Sequence, residues 1–244
     1  MRQLTKFVYL SFLFIFNTAN AIELSPMVLT IDAKNGPFSA SSIITNTLNR
    51  DFAFDVEVYK INFLADGHFL ELLEEPPFFI FPPAAFLKKG QSQKVQIQWL
   101  DNRPPDSDES YMVTLAEQAV GSDSSANSVK MLFNFNLIVH LENPVLDANL
   151  LLRKSWIEQN EIVALIENMG KGNARLSDYE IAFENKDGLT ETPSFITLYQ
   201  KQQLKRLGIE VFLAPGTINT IRIPLPSSLN DSRQGLPLNL RLVP

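Results

Sequence analysis

Cysteine is absent from the 244 residues. No disulfide can brace the fold, no thiolate can serve as nucleophile or metal ligand, and no lipobox cysteine can carry a lipid. Histidine occurs only twice, as His68 and His140, far apart in sequence and in no zinc-type spacing. No Gly-x-Ser-x-Gly elbow is present, and no glycine-rich loop ends in Lys-Ser/Thr. Gly170-Lys171-Gly172 joins two strand-like segments instead of opening a helix, so it reads as a turn. Nucleophile, base and stabiliser do not converge in any motif. The expectation is a chain that is not an enzyme, has no catalytic residues, and needs no metal or cofactor.

Positive charge is also scarce. Acidic residues outnumber Lys and Arg by 27 to 21, a net charge of −6. A nucleic-acid binder needs a basic face to displace counterions from phosphates, so the charge balance argues against that class. Lys201, Lys205 and Arg206 are the nearest approach to a basic cluster, and they read as solvated surface.

Long apolar runs are missing too. The longest, Phe7 to Phe16, falls well short of the roughly 20 residues that span a bilayer. It follows Arg2 and Lys6 and precedes Ala19-Asn20-Ala21, a small-x-small site. Residues 1–21 therefore read as a cleaved signal peptide, with a mature chain from Ile22 exported to the periplasm and not inserted in the membrane.

What the chain does have is apolar mass, 45% of residues including 18 Phe, arranged in short alternating segments. Met27–Ile31, Ser42–Asn46 and Phe52–Ile61 are rich in β-branched and aromatic residues and are separated by Asn35-Gly36-Pro37 and Asn49-Arg50-Asp51. Apolar and polar residues alternate over Ala53–Ile61 and Lys94–Trp99, the period of half-buried strands. Phe78–Phe81 stops at Pro82-Pro83, which cannot donate to a sheet ladder. Tyr111–Ala116 and Val129–Leu141 complete a first domain of about seven strands, 22–143. Asn143-Pro144 begins a second, 144–244, with strands at Glu161–Glu167, Tyr179–Glu184, Ile209–Leu213, Asn219–Pro224 and Leu236–Leu242. Lys186-Asp187-Gly188 and Ala214-Pro215-Gly216 read as turns, and Ser194–Leu207 as an irregular loop. The fold class is all-β: two immunoglobulin-like sandwiches.

Several stretches resemble the PapD-like periplasmic chaperones of chaperone–usher pili. Leu24-Ser25-Pro26-Met27-Val28 is similar to that family's first strand. Ile80-Phe81-Pro82-Pro83, Phe86-Leu87 and Lys89-Gly90-Gln91-Ser92-Gln93-Lys94-Val95 resemble its proline-ended strand, glycine turn and next strand. Glu109-Ser110-Tyr111 with Leu115 matches a later strand. Ile166-Glu167-Asn168-Met169-Gly170 with Ala174-Arg175-Leu176 resembles its second-domain signature. The order holds over nearly the whole mature chain.

The resemblance implies a boomerang of two sandwiches that binds pilus subunits by lending an edge strand and delivers them to an outer-membrane usher. Val129, Met131, Phe133 and Phe135, alternating on one face, are the implied donor residues, with Lys130, Asn134 and Asn136 opposite. The competing reading places the same four in the first domain's own core. The polar segment Gly121–Asn127 is expected to be a mobile hairpin. The family fixes a subunit's terminal carboxylate with cations; the corresponding positions here are Val28 and Asn134 or Asn136, none cationic, which leaves Lys130 or neutral amides for that task. Two other classes remain open: an Ig-like surface or pilus component, and a periplasmic binding or accessory module.

Overall fold

The computed structural model describes residues 21–65, 67–101, 103–119, 131–185, 194–226 and 240–244. The expected signal peptide, the Gly121–Asn127 hairpin, Val129, Lys130 and the Lys186-Asp187-Gly188 turn lie outside them.

Two sandwiches form around two separate cores. In the first, β1 (Ile22–Ser25), β3 (Ser39–Asn46), β8 (Ser92–Trp99) and β6 (Phe78–Phe81) make one sheet in the order β1-β3-β8-β6. The facing sheet runs β2 (Val28–Asp32), β10 (Asn134–Glu142), β9 (Glu109–Gln118), β4 (Phe52–Leu64), β5 (Gly67–Leu72), with β7 (Ala84–Leu87) also paired to β4. The alternation read in the sequence is what fills the space between them. Phe52, Phe54 and Val58 of β4, Val95 and Ile97 of β8, and Leu137, Val139 and Leu141 of β10 all point inward. Each fully buried aliphatic or aromatic side chain contributes about 1.5–3 kcal/mol, which is how a chain without disulfides holds together.

Prolines decide where strands change sheet. Pro26 separates β1, which pairs antiparallel with β3, from β2, which pairs parallel with β10. Pro82-Pro83 likewise separates β6, on β8, from β7, on β4. A residue with no N–H breaks the ladder and releases the chain to the opposite sheet. These switches, and the β4–β5 hairpin that carries β4 on to Leu64, raise the expected seven strands to ten.

The second sandwich contains β11 (Leu150–Glu158), β12 (Glu161–Asn168) and β17 (Ile218–Pro224) in one sheet. A second sheet has β15 (Ser194–Tyr199), β14 (Glu180–Asn185) and β18 (Leu240–Val243), and β13 (Ala174–Arg175) pairs with β16 (Phe212–Leu213). The loop expected at Ser194–Leu207 is instead β15 followed by a helix, Lys201–Arg206. Gln200 and Gln203 cap that helix reciprocally and Leu204 is fully buried, a combination that overrides the segment's weak periodicity. The strand expected at Ile209–Leu213 shrinks to Phe212–Leu213.

Asn168 explains the Asn-Met-Gly signature. Its Nδ2 donates to the carbonyls of Gly172 (2.8 Å) and Leu213 (3.0 Å), and its Oδ1 accepts from the amides of Asn149 (3.1 Å) and Gly170 (3.0 Å). The turn is drawn so tight that a Cβ on Gly170 would collide with the backbone of Asp147 and Asn149.

The two sandwiches meet through Asp108. Its carboxylate accepts the backbone N–H of Asn143 at 2.7 Å and of Asn173 at 2.7 Å, tying the connecting segment and the second domain to the start of β9. Burial pushes its pKa up against those two hydrogen bonds. On the other flank, the amide of Ile218 donates to Ala65 O at 3.0 Å.

Candidate functional site: the open flank of β10 and the cleft beside it

β10 is paired on one side along its length and on the other only in part. β9 covers Asn134 to Leu141, from Asn134↔Ala116 to Leu141↔Glu109. β2 reaches only from Val28↔Ile138 onward, because the chain before Pro26 belongs to the other sheet. Among the described residues, none pairs with 134–137 on that second side. The N–H of Ile138 donates to Met27 O at 2.9 Å, so by strand alternation the amides and carbonyls of Asn136 and Asn134 face the same, open direction.

The strand expected from Val129 begins at Asn134; Met131, Leu132 and Phe133 are described but carry no strand pairing. One residue of ladder nevertheless persists. The amide of Glu117 donates to Phe133 O at 3.1 Å, and Glu117 Oε2 accepts the Phe133 N–H at 3.0 Å. Arg50 holds that carboxylate with its two terminal guanidinium nitrogens, Nη1 and Nη2, and the pairing raises the Arg50 pKa. Sequence reading missed this clamp, since Arg50 and Glu117 are distant in the chain and each looks like a surface charge.

The implied donor residues therefore divide. Phe135 is half-buried, its ring 5.6 Å from that of Phe52 and nearly perpendicular to it. Phe133 and Met131 are exposed at 44% and 68%, beyond the end of the core yet in phase with its inward face. Asn134 and Asn136 lie on the opposite face; Asn136 Oδ1 accepts from Thr114 Oγ1 at 2.9 Å.

That opposite face looks into the cleft between the domains. Val28, half-exposed on β2, stands diagonal to Asn136 and lines a cavity of about 380 Å³ with His140, Arg175, Ser177, Asp178, Lys205, Glu210 and Phe212. His140 is stacked on Phe212 with centroids 4.2 Å apart, and its Nδ1 is bonded to Ser110 Oγ at 2.8 Å. Burial first, and the nearby Arg175 charge second, hold its pKa down to about 4, so the ring is neutral at pH 7. Ser110 and His140 are both buried in the first domain, and the stack of His140 on Phe212 carries that packing across to the second. Among the residues lining this cavity, the cationic groups Arg175 and Lys205 come from the second domain. A larger open cavity of about 720 Å³ lies on the other flank, between Phe63 and His68 of the β4–β5 hairpin and Leu165, Phe212 and Ile218 of the second domain.

No family model matches the sequence, and no curated protein matches it. Solved structures do. The class 5 fimbriae chaperone CfaA aligns at a TM-score of 0.53 and 13% identity, over 92% of this chain and 99% of that one. A chain from the chaperone–tip adhesin complex of CFA/I fimbriae biogenesis aligns at 0.51 and 14%, over 83% and 88%. At such identities the likeness is one of fold. The chain has the two-sandwich fold of the PapD-like fimbrial chaperones.

Proposed function

We propose that this protein is a periplasmic assembly chaperone, which holds fimbrial subunits by lending them the open flank of β10 and passes them to an outer-membrane usher. The observation that carries the reading is the half-covered strand: backbone groups of Asn134 and Asn136 face an unpaired side, and the exposed apolar residues Phe133 and Met131 continue the strand's inward face. An incoming strand gains main-chain hydrogen bonds along that flank, while alternate side chains enter whatever groove the incoming sheet leaves open. An uncovered edge with apolar flanking residues is an aggregation hazard, so a capping partner is the economical reason to keep one. The shared fold with fimbrial chaperones agrees with this reading. Val129, Met131, Phe133 and Phe135 are the proposed contact residues.

The test is co-expression of the full chain with the secreted fimbrial proteins encoded beside it. A stoichiometric complex resistant to protease, lost with Phe133→Asp while the variant keeps its melting temperature, is the expected result. A chain that remains alone with every such protein defeats the proposal.

A further inference from the structure

β5 (Gly67–Leu72) forms the far edge of the sheet that β2 begins, and all of its residues are exposed. β4 pairs with one side of it, from Tyr59↔Leu72 to Leu64↔Gly67; among the described residues, no strand pairs with the other. Phe69, Leu70 and Leu72 are 51%, 43% and 57% exposed on this ribbon. It carries no proline, no lysine and no bulge, the usual devices that protect a sheet edge from other chains.

One hydrogen bond sets the phase of the free side. The amide of Leu73 donates to Val58 O at 2.9 Å, so Leu73 and, by alternation, Glu71, Phe69 and Gly67 turn their backbone groups toward β4. The amides and carbonyls of His68, Leu70 and Leu72 therefore face the open side. That set is symmetric about Leu70. A second copy, turned half-way round an axis through Leu70 and perpendicular to the sheet, presents the same residues in antiparallel order. Leu70 then meets its own counterpart, and His68 of each copy meets Leu72 of the other. Every such pair exchanges two hydrogen bonds, about six in all.

The side chains agree with this register. On the face toward the second domain, Leu70 stands beside Ile61, Leu72 beside Tyr59 and His68 beside Phe63. Joining two copies makes an unbroken apolar row from one Ile61, through both Leu70 side chains, to the other Ile61. On each side of that row, Phe63 and His68 of one copy meet Leu72 and Tyr59 of the other. On the opposite face Phe69 meets Glu71, whose carboxylate accepts from Asn62 Nδ2 at 2.9 Å and lies across from Lys60 of its own hairpin. No like charges are directly opposed among these pairs, and the exposed leucines are covered.

We propose that β5 is a self-association surface, where two copies of this chain join their sheets edge to edge about Leu70. The ribbon is short and buries on the order of 1,000 Å² in total, the low end for specific association, so the dimer is reversible and forms at micromolar chain concentrations. β5 and β2 are opposite edges of one sheet, so pairing at β5 leaves the half-covered flank of β10 free on both copies. Self-association through β5 is independent of what β10 binds.

The test is sedimentation equilibrium of the full chain, purified after export, over a range of concentrations. A monomer–dimer equilibrium is expected. Leu70→Lys sets two ammonium groups together on the axis and should weaken the dimer about 10-fold or more, with an unchanged melting temperature because residue 70 is exposed. The native chain has no cysteine, so Leu70→Cys gives an independent reading. A short thiol-specific crosslinker should join two copies through residue 70, whereas Leu72→Cys, set opposite His68, should crosslink far less. A chain that stays monomeric throughout overturns the surface. So does a dimer that Leu70→Lys leaves intact and Phe133→Asp abolishes, since that association runs through β10. Equal crosslinking at positions 70 and 72 overturns the pairing about Leu70.

Discussion

Glu117 Oε2 is shared between Arg50 Nη2 and the backbone N–H of Phe133, each 3.0 Å away. One buried carboxylate thus joins the turn before β4, the end of β9 and the last anchored residue before the exposed Met131. Its place at the rim means that the clamp sets where the first domain stops holding the 131–133 segment and where a partner could start.

Arg50→Ala should therefore act in two ways. It strips a cation from a carboxylate that is only 1% exposed, though the Arg50 side chain is itself 42% exposed, which screens the loss. We expect about 1–2 kcal/mol of destabilisation, between the values for exposed and buried pairs, read from the urea midpoint. Amide exchange at Phe133 should accelerate more than at Leu137. Equal acceleration at both would argue against a local clamp.

The apolar positions along the flank should separate cleanly. Met131→Asp and Phe133→Asp alter exposed side chains and should change stability by no more than about 0.5 kcal/mol. Phe135→Ala removes a ring packed on Phe52 and should cost about 2 kcal/mol, less than the full core value because Phe135 is half-buried. If Phe133→Asp unfolded the chain, the competing reading of these residues as core would be right.

Acid should weaken the first domain through His140. Its folded pKa of about 4 lies below the ordinary value of 6.5, so the unfolded chain binds the proton more readily between the two. The associated stability is fully present above pH 6.5 and is lost progressively down to pH 4, by about 3 kcal/mol in all. Asp108 and Glu142 work in the opposite sense. Burial raises both, so their contribution falls as pH rises through the region just above the ordinary carboxylate range. Comparing the native chain with His140→Gln isolates the histidine: the variant's stability should change less between pH 6.5 and pH 4. Parallel profiles would remove His140 from the account.

Gly170→Ala should be among the most damaging changes in the second domain. The added methyl meets backbone at Asp147 and Asn149, which cannot yield as a side chain would, and its displacement would break the four hydrogen bonds of Asn168. A loss of about 3 kcal/mol or more is expected in thermal unfolding. Gly90→Ala, with open space around its Cβ, should cost less and chiefly through its positive φ of 77°.

Much of the fold was legible along the chain. The two-residue period of Phe52–Ile61 and Lys94–Trp99 depends only on local order, and the sheets bury the faces it marks. Pro82-Pro83 announced a strand end, although not that the strand would resume in the opposite sheet. The donor segment was legible as an alternating run, but its division into a packed Phe135 and an exposed Phe133 was not. Alternation says which side chains share a face; it does not say where the opposing sheet ends. Ser194–Leu207 forms a strand and a helix where a loop is expected because pairing with β14 and the burial of Leu204 outweigh its local preferences.

The sequence by itself determined the all-β class, because strand periodicity and turn chemistry are properties of neighbours in the chain. It also excluded thiol and disulfide chemistry by leaving cysteine out. Only the tertiary structure decided that β2 stops short of covering β10, that Glu117 meets Arg50, and that Arg175, Ser177 and Lys205 gather beside Val28. Those are pairings between residues separated by tens of positions, and they exist only when two sheets, or two domains, close on each other.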